Sequence, residues 1–231
     1  MRIFQVTDTH IPDTGDMLAR DNFTALMTYC AEQQPDLLAI TGDLPADDGS
    51  RSAYEWITAA IPSGLEYIVI PGNHDNIETL FEVFGGGKNQ DPGFFEKLSL
   101  DQIDVLFTNT ASNELPTEQL DALANVRPGS VLFIHHPTKE VSGGWMDQTY
   151  PLGNRDEVDS AIAASNIRHV FCGHFHTEHE IHADYSLYVT PSPAFTVDLY
   201  ADEPKISAPK IPLREVTIDG DKVSSKVTYL D

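Results

Sequence analysis

Tyr67-Ile68-Val69-Ile70-Pro71-Gly72-Asn73-His74-Asp75 is the stretch on which the reading of this chain turns. Four apolar residues of buried-strand type run straight into four uncommon polar-turn residues. The same layout recurs. Arg2–Val6 ends at Thr7-Asp8-Thr9-His10, Leu37–Ile40 at Thr41-Gly42-Asp43, Ser130–Ile134 at His135-His136-Pro137, and Ile167–Cys172 at Gly173-His174-Phe175-His176. One Asp or His at a strand end is normally a turn former or a hydrogen-bonded structural residue. Five strand ends carrying Asp, Asn or His in this order are hard to ascribe to chance.

Helical patterns fill the gaps between these strands. Phe23, Leu26, Met27, Cys30 and Ala31 share the offsets of one apolar face, which Pro35 closes. Ser50 caps a second helix with Tyr54, Ile57 and Ile61 on one side, and a third spans about Ile77 to Phe84. Gly85–Gly93 reads as a flexible loop, because its glycines lack the order of a dinucleotide cradle. Phe94–Leu98 and Val105–Thr108 suggest a hairpin across Asp101, followed by a short helix at Thr117–Ala124. Thr138–Gly153 is a long irregular loop, and Asn154 with Glu157 resembles a capping box opening a helix to Ser165. The remainder is strand at Glu178–His182 and Leu187–Thr190, a proline-rich connection at Asp202–Pro212, and a final hairpin turning at Asp219-Gly220. Strands that alternate with helices and then continue as strands imply an α/β domain with two mixed β-sheets and helices outside. No internal repeat or boundary divides it, so the expectation is a single domain over residues 1–231.

Composition narrows the function. Fourteen basic residues face 36 acidic ones, a formal charge of −22, which excludes a basic nucleic-acid-coating surface and a polybasic membrane footprint. The bland origin of the excess is a soluble, self-repelling surface, so the charge alone marks no site. No apolar run reaches the roughly 18 residues of a spanning helix, and Met1–His10 lacks a signal-peptide layout. Two distant cysteines, Cys30 and Cys172, make a disulfide framework unlikely to be the scaffold and point to a reducing cytoplasm.

The chemistry follows from the strand ends. The carboxyl ends of strands in α/β sheets open onto the ligand crevice. Asp8 and His10 are two apart, as are His174 and His176, so each pair points to one side of extended chain. Convergence of all five ends would gather about seven nitrogen and oxygen donors. Imidazole, carboxylate and amide together suit manganese, iron, zinc or cobalt rather than calcium or magnesium. Seven donors exceed one tetrahedral site and suit two metal ions sharing one carboxylate, for which Asp43, alone on its strand end, is the natural bridge.

With those residues in view, the chain resembles the calcineurin-like metallophosphoesterases, which share the ordered blocks D-x-H, G-D, G-N-H-[DE], H-x-P and G-H-x-H. Gly42-Asp43-Leu44, His135-His136-Pro137, Trp145-Met146-Asp147-Gln148 and Phe171-Cys172-Gly173-His174 make it look most like the bacterial cyclic-nucleotide (3′,5′-cyclic AMP) phosphodiesterases of that superfamily. The resemblance implies a four-layer α/β/β/α sandwich. It implies one metal on Asp8, His10, Asp43 and His176, and another on Asp43, Asn73, His135 and His174. His136 then lies behind the ligands or near substrate. His74 would be catalytic at the phosphate or leaving group, oriented by Asp75 or Asp47, with Asn73 also touching substrate. Where many members carry Asp or Asn three residues after the bridging aspartate, this chain has Ala46.

The expected activity is phosphoester hydrolysis by a metal-bound hydroxide, most simply of small phosphodiesters such as cyclic nucleotides. A phosphomonoesterase or nucleotide pyrophosphatase would use the same site, and a non-catalytic scaffold would show eroded ligands. Trp145, Met146 and Tyr150 stand in the Thr138–Gly153 loop, where Trp145 either stacks on a nucleobase or packs on its own domain. Arg155 either touches phosphate or simply begins its helix. His169, His179 and His182 are read as structural or solvent-facing. The expected partners are a small anionic phosphoester and no long nucleic acid or membrane, with the chain a monomer or homodimer.

Overall fold

The structure is a computed structural model that describes residues 1–15, 17–85 and 91–230. The middle of the expected Gly85–Gly93 loop, residues 86–90, lies outside the described residues. In chain order the elements are β1 (Arg2–Val6), α1 (Leu18–Gln33), β2 (Leu37–Thr41), α2 (Arg51–Ala60), β3 (Tyr67–Ile70), α3 (Ile77–Phe84), β4 (Glu96–Ser99), β5 (Asp104–Phe107), α4 (Thr117–Ala122), β6 (Ser130–Phe133), α5 (Trp145–Thr149), α6 (Arg155–Ala164), β7 (Ile167–Cys172), β8 (His179–His182), β9 (Ser186–Val189), β10 (Thr196–Val197), β11 (Ile206–Ser207), β12 (Ile211–Asp219) and β13 (Lys222–Leu230).

Two large mixed sheets result. The first has the order β13-β12-β1-β2-β3, and the second β4-β5-β6-β7-β9-β8. Strands β1, β2 and β3 are parallel, as are β5, β6, β7 and β9. Parallel neighbours need crossovers, which α1, α2, α4 and α6 supply. The antiparallel strands β12, β13, β4 and β8 complete the sheets at their flanks. Among the described residues no helix is long and apolar enough to cross a membrane.

Side-chain alternation builds the layers. Along β1 and β2, Ile3, Leu37 and Ala39 point between the sheets, while Phe4, Val6, Leu38 and Ile40 pack against α1 and α2. In the second sheet Val105, Phe107, Val131, Phe133 and Phe171 face inward, and Leu106, Leu132, Val170 and Cys172 face α4, α5 and α6. Helix, sheet, sheet and helix thus form the expected α/β/β/α sandwich. Phe107, Phe133, Phe171 and Tyr188 stack in a row across the inner face at 4.9, 5.2 and 4.9 Å between centroids.

The local expectations differ from the structure where tertiary contacts intervene. The Asn154 side chain does not cap α6; it accepts from Leu115 N at 3.0 Å and donates to Leu115 O at 3.0 Å, tying two loops together. The Thr138–Gly153 loop contains α5, and Asp147 orders its entry by accepting from the amides of Val141, Ser142 and Gly143. Part of the proline-rich connection is β11, paired with β10. Ala31 is exposed, outside the buried stripe of α1.

At the carboxyl ends of the strands the packing between the sheets turns polar. Gln5 of β1 donates to Thr41 at 2.9 Å and accepts from Thr190 at 2.6 Å. Arg214 of β12, fully buried, reaches across to the second sheet. Its guanidinium donates to Thr190 Oγ1 (3.0 Å) and Val189 O (3.1 Å), pairs with Glu180 at 3.4 Å and lies over the Tyr188 ring. This belt fixes one sheet against the other directly beneath the polar turns. Arg214→Ala should lower the free energy of unfolding by about 3 kcal/mol, because the buried Val189 carbonyl and Thr190 hydroxyl lose their charged donor. Urea denaturation measures it, and a loss under about 1 kcal/mol would show that the belt does not join the sheets.

Candidate metal centre

The turns after β1, β2, β3, β6 and β7 meet at one end of the sandwich. They lock one another by hydrogen bonds. Asp8 N donates to Gly42 O (2.9 Å), His10 N to Asp43 O (3.1 Å) and Gly173 N to His135 O (2.9 Å). The two sheets are joined by the Asp8 carboxylate, which accepts from His174 N at 2.9 and 3.0 Å. The Asp43 carboxylate accepts from His74 N at 2.9 Å. Asp8, His10, Asp43, His174 and His176 all have left-handed backbone, with φ of 53, 40, 52, 66 and 59°. Non-glycine residues adopt this region at a cost of order 1–3 kcal/mol each, and such strain clusters at functional sites. Gly72 and Gly173 permit the close approach: a Cβ on Gly72 would strike the Asp43 carboxylate and amide, and one on Gly173 would strike Thr7 and the Asp8 carboxylate.

Two groups of donors result. Asp8, His10, Asp43 and His176 place ligand atoms within 4.8 Å of one another, and so do His135, His136 and His174. In the first, His10 Nε2 and His176 Nε2 are 3.2 Å apart and His176 Nε2 lies 3.3 Å from Asp8 Oδ1. Asp43 faces both groups. Its Oδ2 is 3.9 Å from His10 Nε2, and its Oδ1 is 3.3 Å from His135 Nε2.

The electrostatics describe a site built for cations. Burial alone would raise the Asp8 and Asp43 carboxyls. The surrounding histidines, His176 and His135 for Asp8 and His135 and His10 for Asp43, overcome that and hold both below the usual carboxylate range. Burial, then the neighbouring imidazoles, depresses His10 to about 3 and His174 to about 4, so both rings are neutral near pH 7. His136 is likewise lowered, by burial and by His174. His135 is opposite: burial opposes its charge, but Asp43 and Asp8 raise it to about 9. Its Nδ1 is 2.9 Å from Thr41 O, which orients the ring, while Nε2 is buried without a hydrogen-bond partner and aims at the carboxylates. An imidazole braced on a backbone carbonyl by one nitrogen, with the other aimed at carboxylates, is oriented to hold a metal once its proton leaves. The donor set therefore fits manganese, iron, zinc or cobalt.

The donors open into a crevice of about 410 Å³. Asn73, His74 and Trp145 line it. His136, expected either behind the ligands or near substrate, is buried against the rings of His135 and His174, with Nδ1 2.8 Å from Thr110 Oγ1. Asp75 does not line the crevice. Its carboxylate accepts from the amides of Gly72 (2.8 Å), Asp43 (2.8 Å) and Leu44 (3.3 Å) and from the Tyr54 hydroxyl (2.9 Å). Burial and the Asp43 charge raise its carboxyl to about 7. The partner of His74 is neither Asp75 nor Asp47 but Asp48, whose Oδ1 is 2.7 Å from His74 Nδ1. Arg155 turns away from the donors and pairs with Asp147 at 3.7 Å.

Sequence reading missed three contributors. Asp48 belongs to no motif. Thr110 braces His136 from the loop after β5. Phe195 packs its ring 5.3 Å from His10 and 4.2 Å from His176, with its carbonyl 3.3 Å from His176 Nδ1. The one available signal was that β9 is a further strand end, leading through Pro191-Ser192-Pro193; Ser192 donates to Asp8 O at 2.7 Å.

Comparisons with known proteins identify its relatives. The sequence pattern described as calcineurin-like phosphoesterase matches residues 1–178. A Fibrobacter succinogenes protein described as a probable cyclic nucleotide phosphodiesterase is 33% identical over 210 residues, covering 86% of this chain and 82% of its own. An Arcobacter nitrofigilis protein described as a probable glycerophosphodiester phosphodiesterase is 27% identical over 202 residues, covering 76% and 72%. Among solved structures, a dimetal phosphatase from Danio rerio superposes with a TM-score of 0.69 at 10% identity over 98% of both chains. A purple acid phosphatase from yellow lupin seeds gives 0.71 at 13% identity, over 99% of this chain and 51% of its own. At such identities the two structures speak for the fold alone.

His135 sets a pH dependence. A metal ligand must be neutral, and the metal-free ring is protonated up to about pH 9. Manganese affinity should therefore rise about tenfold per pH unit from 7 toward 9, with one proton released per His135 engaged. Calorimetry in buffers of different ionisation enthalpy reads that proton; affinity flat across this range with no release would contradict it.

Proposed function

This chain belongs to the calcineurin-like phosphoesterase family, and on that premise we propose that it is a two-metal phosphodiesterase acting on small diesters of the cyclic-nucleotide type. The observation that carries the reading is Asp43, whose two oxygens face the two donor groups. One ion would rest on Asp8, His10, Asp43 and His176, the other on Asp43, Asn73, His135 and His174. When bound, the pair supplies Lewis-acid chemistry, polarising phosphate and acidifying water.

The chain's own residues do the rest. His74 stands at the crevice with Nδ1 held by Asp48, which leaves Nε2 to carry the proton to the leaving oxygen. Asp75 is a positioning residue: it fixes the amides of Gly72 and Asp43, and so the turns that aim Asp43 and His74. Asn73 faces the same space and is available to the phosphoryl group.

Two features favour diesters. Among the described residues no Lys or Arg lines the crevice, and a singly charged diester is easier to accept there than a doubly charged monoester. The crevice also has an apolar side for a second ester arm. Relatives described as probable cyclic nucleotide phosphodiesterases support the same class. The buried, unpaired thiols of Cys30 and Cys172 fit a reducing cytoplasm.

Metal-stripped protein should be inactive. Manganese should restore hydrolysis of 3′,5′-cyclic AMP and bis-p-nitrophenyl phosphate, with p-nitrophenyl phosphate at least about tenfold slower in kcat/KM. Preference for the monoester, or turnover that survives chelation, would overturn the reading.

A further inference from the structure

Opposite the donors, the crevice is walled by apolar side chains from two separate segments. One is α5 and its end, with Trp145, Met146 and Tyr150; the other is the β10–β11 hairpin with its approach, with Phe195, Val197 and Ile206. Met146 and Val197 belong to the core behind the wall and Trp145 and Phe195 pack against that core, but Ile206 serves no such role. Ile206 is 62% exposed at its rim, although a large aliphatic side chain gains nothing from water. Trp145 and Tyr150 meet edge to face at 5.1 Å and leave aromatic surface open to the crevice.

The wall is built in place and continuous with the donors. Trp145 N donates to Ala201 O at 2.8 Å, welding α5 to the hairpin, and Gly144 is too close to Leu199 O to bear a side chain. Asp198 N donates to Lys205 O at 2.9 Å and the two side chains pair at 2.7 Å, closing the hairpin. His174 Nε2 lies 3.0 Å from Tyr150 O, and the Phe195 ring rests on His176 and His10. An apolar group covalently attached to a phosphate at the donors would therefore fall directly on this wall.

We infer that the α5–hairpin wall is a platform for the planar base of a nucleotide, and that Trp145, Phe195 and Ile206 determine specificity for base-bearing phosphodiesters. This deepens the diester reading above and rests on it. The platform is selective for an aromatic ring but not for which ring. Apart from the Tyr150 hydroxyl and the Trp145 indole N–H its side chains are apolar, and stacking alone is tolerant of base identity. Apolar contact strength, rather than charge, is what the variants must change.

The test is equilibrium binding to the manganese-loaded protein by calorimetry, which does not depend on turnover. Adenosine 5′-monophosphate and ribose 5-phosphate share sugar and phosphate and differ by the base. The nucleotide should bind at least about tenfold more tightly, and guanosine 5′-monophosphate should match it within about threefold. Ile206→Ser, at an exposed position that does not endanger folding, and Trp145→Ala should each shrink the nucleotide-to-ribose ratio. Tyr200→Ser, 71% exposed on the same hairpin but outside the crevice, should preserve it. A ratio near one in the unaltered protein, or a ratio that neither wall variant moves, overturns the platform. If the platform fails alone, diester hydrolysis persists; if the diester reading fails, the substrate panel shows it whatever this ratio is.

Discussion

Two carboxylates, Asp8 and Asp43, sit buried where the two sheets meet, surrounded by imidazoles that are mostly neutral. Isolated charges in such a place are very unfavourable, and only cationic partners make them tolerable. Everything around them obeys that constraint. The turns adopt left-handed backbone, and the Asp8 and Asp43 carboxylates accept from the amides of His174 and His74. In this structure the proton on His135 is the compensating charge. Among the described residues the crevice beside the two carboxylates has no Lys or Arg, so its cationic complement must come from bound metal.

The fold exists, in this view, to bring two half-sites into register. Asp8, His10, Asp43 and His74 come from the first sheet, and His135, His174 and His176 from the second. Hydrophobic burial between the sheets holds them face to face but is non-directional. Direction comes from the polar belt of Gln5, Thr190 and Arg214, together with the Asp8 bond to His174 N. Strands beyond the matched residues 1–178 belong to this design, since β9 and β12 both carry members of the belt.

Much of this was legible in the chain. The donors lie within a few residues of apolar runs, so strand and turn could be read together, and the five blocks from Asp8 to His176 appear in order. What was not legible depends on contacts between segments far apart. Asp48 is one of two adjacent aspartates, and only the packing of its loop against the β3 turn decides that it, and not Asp47, holds His74. Asp75 reads as a partner of catalytic His74 by position, yet its oxygens are turned inward onto three amides and Tyr54. Asn154 has the pattern of a cap and is diverted to Leu115. Phe195 and Ile206 carry no motif because an apolar wall has no fixed spacing; it requires only that separate loops arrive at one crevice.

The central claim is that Asp43 joins two metal ions into one centre. Electron paramagnetic resonance of the protein fully loaded with manganese(II) tests it directly, because ions sharing a carboxylate, roughly 3.5–4 Å apart, are magnetically coupled. The account predicts the spectrum of an exchange-coupled pair, which Asp43→Ala abolishes. A spectrum of isolated manganese ions at full occupancy would contradict it.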